Sequence, residues 1–391
     1  MVSICMYFQV HQPYRLGHYQ FFSIGSGRGY YDAEKNRGVL RRVADKSYLP
    51  ATRILVELMR KHPGFKVSFS FSGVVLDQFE EYYPEVLRQF KELVSTGRVE
   101  ILSETYHHSL AFVHSQGEFE EQVRLHDRRI EELFGQKPTV LRNTELMYNN
   151  ALAEKAEEMG YSAVLLEGAD KVLGWRSPNF VYKPVNAKVK LLLKNYRLSD
   201  DIAFRFSERS WKDWPLTVEK YASWVNNVNG NGTNVNLFMD YETFGEHQWE
   251  STGIFEFLKL LPGELLKHPD NSFKLPSEVA SSYEPVGELD IPEFISWADI
   301  ERDLSAWLGN DMQRSALRKV YGMEKGIKAS GDARLLEDWR RLQTSDHFYY
   351  MCTKWFSDGD VHKYFNPYDS PYDAFITYMN IMKDMERRLQ S

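Results

Sequence analysis

Cysteine is nearly missing from this chain: 391 residues contain two, Cys5 and Cys352. No disulfide framework and no thiolate metal site can be built from that pair. Long apolar runs are missing too, and none approaches the roughly 18 residues of a membrane-crossing helix. The first residues show no basic segment followed by an apolar one, and His11-Gln12-Pro13 comes too early for a secretion leader. A soluble, cytoplasmic protein without a membrane role is the expectation. Positive charge is not in excess: 48 Lys and Arg stand against 55 Asp and Glu, a formal charge of −7. That balance argues against a nucleic-acid partner. No internal repeat or low-complexity tract stands out, and nothing in the chain signals an oligomeric state.

What is present is apolar and aromatic. Hydrophobic residues make up 43% of the chain, enough for a sizeable core, and aromatics 14%. Aromatic faces stack on sugars, but they also fill cores. Seven short apolar runs punctuate the first two thirds, at 2–10, 67–71, 99–102, 139–141, 163–166, 189–193 and 235–239. Each suits a strand buried on both faces. Helical patterns at 49–62, 84–95, 118–134 and 151–159 fill several gaps and stop at Pro63-Gly64, Gly97, Gly135 and Gly160. Residues 14–48, rich in Gly, Tyr and Arg, read as a long loop, and such loops tend to be functional. The alternation predicts an α/β fold, either a parallel barrel or a doubly wound sheet, over residues 1–265. Residues 266–391 read as a connection followed by long helical patterns at 299–329, 333–356 and 372–389.

The strand ends collect polar groups: His11, Glu100 with Glu104, His107 and His108, Glu145, Glu167, and Asp240 with Glu242. The stretch Val235 to Met239 stops at Asp240-Tyr241-Glu242-Thr243-Phe244-Gly245. If the strand continued, Asp240 and Glu242 would share a face, because side chains repeat every second residue. Two chemistries compete for such strand ends. A metal site wants His/Asp clusters at ligand spacing, and His11-Gln12-Pro13 carries no Asp. Lone carboxylates on separate strands suit glycoside hydrolysis, one as nucleophile and one as acid.

Five stretches in order carry a family resemblance. They are His11-Gln12-Pro13, Gly97-Arg98-Val99-Glu100-Ile101-Leu102, Glu145 after a short strand, Asp240-Tyr241-Glu242-Thr243-Phe244-Gly245, and Ser345-Asp346. The chain resembles glycoside hydrolase family 57, the α-amylase and 4-α-glucanotransferase family, in its amylase-like branch. The resemblance implies a seven-stranded parallel (β/α)7 barrel with a C-terminal α-helical bundle. It implies a retaining enzyme on α-1,4-glucans or maltooligosaccharides, without a metal or other cofactor in the chemistry. Glu145 would be the nucleophile and Asp240 the acid/base, roughly 5–5.5 Å apart if the enzyme retains configuration. The expected substrate-binding set is His11, Gln12, Glu100, His108, Glu242, His247, Trp307 and Asp346.

One departure is local: Arg142 stands three residues before Glu145, where several family members carry Trp. That position would be more polar here. Blander readings sit beside the sharper ones. His11 also suits a hydrogen-bonded structural role. One of Glu100 and Glu104 belongs in the site, with Glu100 favoured, and His107 and His108 divide in the same way. Glu167 suits structure as well as chemistry, Trp297 and Trp307 could line subsites or fill core, and Asp200 with Asp201 could cap a helix from Ile202. Asp358, Asp360, Asp369 and Asp373 lack the spacing of a calcium loop and read as solvated acids. Rival functions are a non-catalytic glucan-binding protein on this fold and a metal-dependent carbohydrate deacetylase on a related barrel.

Overall fold

A computed structural model describes residues 2–354 and 366–390. The strands, in chain order, are β1 (Val2–Val10), β2 (Val67–Phe71), β3 (Val99–Ile101), β4 (Val140–Arg142), β5 (Ala163–Glu167), β6 (Val181–Pro184), β7 (Lys190–Lys194), β8 (Asn234–Asp240), β9 (Asn271–Phe273) and β10 (Glu288–Leu289). All seven expected strands form, as β1 to β5, β7 and β8. Three were not expected. β6, β9 and β10 are two to four residues long, too short to show a period.

The strands lie in two sheets, β3-β2-β1-β8 with β9 also on β1, and β10-β6-β7-β5-β4. Pairing is parallel except between β6 and β7, so the parallel expectation needs that correction. Both ends of the first sheet touch the second. Ser103 N donates to Val140 O (3.0 Å) and Arg142 N to Ser103 O (2.8 Å) between β3 and β4. Asn195 N donates to Asn236 O (2.9 Å) between β7 and β8.

Alternation explains the continuous apolar character of the strands. Along β1, Val2, Ile4, Met6, Phe8 and Val10 pack with the surrounding helices. Cys5 and Tyr7 point the other way, into a cluster with Val140, Leu165, Leu192 and Phe238 from five strands. A strand buried on both faces has no polar side to show. Both cysteines are free and buried.

The helices Leu49–Lys61, Pro84–Ser95, Gln116–Phe134 and Asn150–Glu158 match the predicted patterns to within two residues. Gly135 closes the third in a left-handed conformation (φ 68°), as glycine does at low strain. The long loop is only half a loop. From Ala33 the chain is helical through a π-turn at Ala44–Tyr48 and into Leu49–Lys61. Its first turn is capped by Asp32, which accepts from Lys35 N (2.9 Å). Only Asn36, Leu40 and Val43 of Ala33–Val43 are buried, so its apolar signal is thin. The 299–329 pattern resolves into Ser305–Leu308, Asp311–Gly322 and Glu324–Ser330, and the 333–356 pattern into Ala333–Arg341 and Ser345–Tyr349. Asp358, Asp360 and the end of that last pattern lie outside the described residues.

The C-terminal helices, including Pro371–Gln390, share a second core with Leu16, Tyr19 and Tyr30 from the early loop. Sheet pairing continues past residue 265, through β9 and β10. No helix among the described residues is long and apolar enough to cross a membrane.

Candidate active site

A cleft of about 1150 Å³, counting its solvent-open mouth, lies where β1, β4, β7 and β8 end. Carboxyl ends of parallel strands are where α/β enzymes present catalytic groups. Glu145, Asp240, His11, Gln12, His108, Glu242, His247 and Asp346 all line it.

Glu145 sits in the 3-10 turn Thr144–Leu146 directly after β4, in a left-handed conformation (φ 57°, ψ 27°). Its side chain is nearly buried, at 7% exposure. One oxygen, Oε2, accepts from Trp297 Nε1 at 2.6 Å, and the other, Oε1, lies 3.0 Å from His108 Nε2. Trp297 N also donates to Glu145 O (3.2 Å). Five non-glycine residues adopt positive φ among those described: His108, Glu145, Leu146, Asp299 and Arg302. Four of the five line the cleft. Backbone strain of this kind persists where surrounding structure over-determines it, characteristically at functional sites.

His108 is the hinge of the electrostatics. Its Nδ1 donates to Glu104 Oε2 at 2.9 Å. Burial alone would push the imidazole down, but hydrogen bonds to Glu104 and Glu145 outweigh it and raise its pKa to about 9. It is therefore an imidazolium donating to two carboxylates. Glu104 also accepts from Gln9 Nε2 (3.0 Å) and Ser70 Oγ (2.8 Å). Burial opposes its charge as well, yet His108 and Arg142 hold its pKa down to about 2. The His11 ring stacks on His108 with centroids 4.0 Å apart. Burial and the neighbouring imidazolium lower the pKa of His11. As a neutral ring it donates from Nε2 to Asp346 Oδ2 (2.9 Å) and accepts from Ser72 Oγ at Nδ1 (2.7 Å).

Across the cleft, β8 ends at Asp240 and the chain turns immediately into the 3-10 turn Tyr241–Thr243. The expected shared strand face is therefore replaced by a turn, which still directs both acids to the cleft while Tyr241 enters the core. Glu242 accepts from Tyr48 Oη and, at 3.4 Å, from Gln12 Nε2. Burial and the charge of Asp240 raise its pKa. Gly245 is required by the turn: φ is 111°, and a Cβ there would lie 1.9 Å from Lys46 O. The turn returns through His247 N to Glu242 O (2.9 Å), which brings His247 to the cleft.

Two expected site residues lie elsewhere. Glu100 is in the body of β3, where its Oε2 accepts from Ser277 N (3.0 Å) under the helix Pro276–Ser282. Burial raises its pKa to about 7. At about 3.3 Å per residue, Glu104 is roughly 13 Å further along the chain, at the end where the site is. Trp307 is wholly buried in the C-terminal core, its ring 6.1 Å from that of Tyr349, which lines the cleft in front of it. Trp297 takes the lining position.

The remaining alternatives also resolve. His108 turns inward, whereas His107 packs with Nε2 3.5 Å from Glu337. Asp200 and Asp201 lie within the helix Tyr196–Ala203, whose cap is Asn195. Asp200 instead holds Lys194 (3.0 Å) and Arg302 (3.4 Å). Glu167 lies 3.7 and 3.8 Å from the same two cations. Lys194 and Arg302 line the cleft beside Trp297, and neither spacing nor periodicity had marked them. No group of three or more His, Cys, Asp or Glu among the described residues is arranged to hold a metal ion.

Comparisons with known proteins bear on the family. The family model "Glycosyl hydrolase family 57" matches residues 5–292. A Methanocaldococcus jannaschii protein named "Putative alpha-amylase" is 45% identical over 97% of this chain and 83% of its own length. Among solved structures, a branching enzyme of Thermococcus kodakaraensis superposes with TM-score 0.66 at 16% identity, over 93% of this chain and 87% of its own. A 4-α-glucanotransferase of Thermococcus litoralis does so with TM-score 0.60 at 18% identity, over 89% of this chain and 50% of its own. The chain belongs to glycoside hydrolase family 57.

Proposed function

We propose that this protein is a retaining glycosidase acting on α-1,4-glucans, with Glu145 as nucleophile and Asp240 as acid/base. The observation that carries the reading is the setting of Glu145, a nearly buried carboxylate in a strained turn, with one donor on each oxygen. Two donors, one of them charged, keep a carboxylate ionised and aimed. In the proposed reaction Glu145 attacks the anomeric carbon while Asp240 protonates the leaving oxygen. Asp240 then takes a proton from water or from an acceptor sugar. Glu242 supports this role, because two acids side by side in a buried turn hold a proton above the usual carboxylate range. His11, Gln12, His247, Trp297 and Asp346 would hold the sugar, while Glu104 would hold His108. In the same reading the seven parallel strands close as a (β/α)7 barrel. The hydrogen bonds from Ser103 to Val140 and from Asn195 to Asn236 support that closure.

The substrate class follows from the relatives, which are named for amylase, branching and glucanotransferase activities. Incubation with a maltooligosaccharide of defined length tests it. Shorter products alone identify an amylase, and a ladder of longer and shorter chains identifies a transferase. Unchanged substrate sinks the enzymatic reading. Proton NMR of the first product decides the stereochemistry: an α-anomer is expected, and a β-anomer would rule out retention.

A further inference from the structure

Arg142 ends β4 as a fully buried guanidinium beneath the cleft. Its three side-chain nitrogens make no hydrogen bond to any described residue. A buried charge in that state is unfavourable unless another charge balances it. The balance comes from Glu104, whose Oε2 is 4.0 Å from Arg142 Nη1. Two rings flank the guanidinium, Trp297 at 5.0 Å and Tyr7 at 6.0 Å from their centroids. Its neighbours are thus the two groups through which Glu145 is held. Trp297 donates to Oε2, and Glu104 fixes the His108 ring that donates to Oε1.

We propose that Arg142 is a positioning residue for the nucleophile: its buried charge holds Glu104, which fixes the His108 donor, and its flat face seats the Trp297 indole. Glu104 has ample reason to protonate, since it is buried in full. The hydrogen bond and charge of His108, with the charge of Arg142, prevent it. Removing the guanidinium takes away one of those charges and the seat of the indole in one step. Other titratable or charged groups facing this cluster are Tyr7 and His11 from β1 and its end, His126 from the helix Gln116–Phe134, Lys194 from β7, Asp240 from β8, Arg302 against Trp297, and Asp346 from Ser345–Tyr349. Lys194 of β7 also faces the Trp297 ring, at 5.2 Å, whereas Arg142 is the cation beside Glu104.

The inference rests on Glu145 being the nucleophile, and the test separates the two. Arg142→Met and Arg142→Gln remove the charge, whereas Arg142→Lys keeps it without the planar face. For both neutral variants, the acid limb of kcat/KM on maltooligosaccharide is expected to move up by about one pH unit, the smaller end of an ion-pair effect at this distance. Their kcat should fall about tenfold with KM little changed, because transition-state interactions are what is lost. Arg142→Lys should return the limb to its wild-type position while kcat stays low. A limb that does not move in a folded neutral variant overturns the proposal, and Glu145→Gln inactivity would then still uphold the nucleophile. Activity in Glu145→Gln would instead remove the basis of both. Nitrogen-15 histidine NMR of the wild-type protein gives a reading that needs no variant: His108 is expected to be doubly protonated at pH 7.5, and a neutral ring there overturns the proposal.

Discussion

Trp297 holds Glu145 twice, its indole Nε1 donating to Oε2 at 2.6 Å and its backbone N to Glu145 O at 3.2 Å. The donor comes from the connection after the sheets, and the acceptor from the end of β4. Trp297→Phe keeps the ring and removes one donor to an ionised group. Such a bond contributes about 1.5–3 kcal/mol, so kcat is expected to fall about 10- to 100-fold, with a smaller change in KM. Trp307→Ala should do the reverse. It empties a core site, with about 3–5 kcal/mol lost in denaturant unfolding and kcat little changed. Steady-state kinetics and urea titration of the two variants separate a site Trp from a core Trp.

Glu145→Gln and Asp240→Asn each replace a carboxylate by a near-isostere. Both are expected to lower kcat at least about 10³-fold, while thermal midpoints stay close to wild type. Full activity in either variant would show that the roles are assigned to the wrong residues.

Glu100 yields a prediction in the opposite direction. Its pKa is raised to about 7 by burial, so folding favours the protonated form. Its contribution is present below the unfolded value of about 4.3 and is lost as pH rises toward 7. Glu100→Gln fixes the neutral form. At pH 8 the variant should melt a few degrees higher than wild type, with kcat/KM within about twofold. A large loss of activity would put Glu100 back in the site.

His108 sets an upper limit on the pH range. With a folded pKa of about 9 and an unfolded value of about 6.5, its stabilisation is complete below pH 6.5. It is lost as pH rises through 9, and amounts to on the order of 3 kcal/mol, counted once with its partner Glu104. The difference in melting temperature between wild type and His108→Gln should therefore be largest near pH 6 and shrink toward pH 9.5. A difference independent of pH would mean that the ring stays neutral.

Legibility in the sequence followed the physics of each feature. The seven main strands were readable because strands buried on both faces leave uninterrupted apolar runs, as in Val2–Val10. Glu145, Asp240 and Glu242 were readable as strand-end groups because each stands within four residues of the end of such a run. Glu100 was misplaced because a motif fixes a residue's neighbours in sequence, not its depth along a strand. Lys194 and Arg302 were hidden for another reason. They act through ion pairs with Glu167 and Asp200 at irregular separations along the chain, and nothing periodic marks such pairs. The helix Ala33–Val43 was hidden by its few buried positions.

The bond from His11 to Asp346, with Ser345 N donating to His108 O (2.9 Å), has a consequence for biosynthesis. When Asp240 leaves the ribosome, every strand end that faces the cleft has been made. The helix that fixes the histidine pair is still more than a hundred residues from translation. At about 5–20 residues per second, that interval lasts roughly 5–20 s. A nascent chain therefore passes through a stage with both carboxylates in place and the histidine pair unsecured. Activity should appear only when the last quarter of the chain docks, a built-in delay between making the two sheets and completing the cleft.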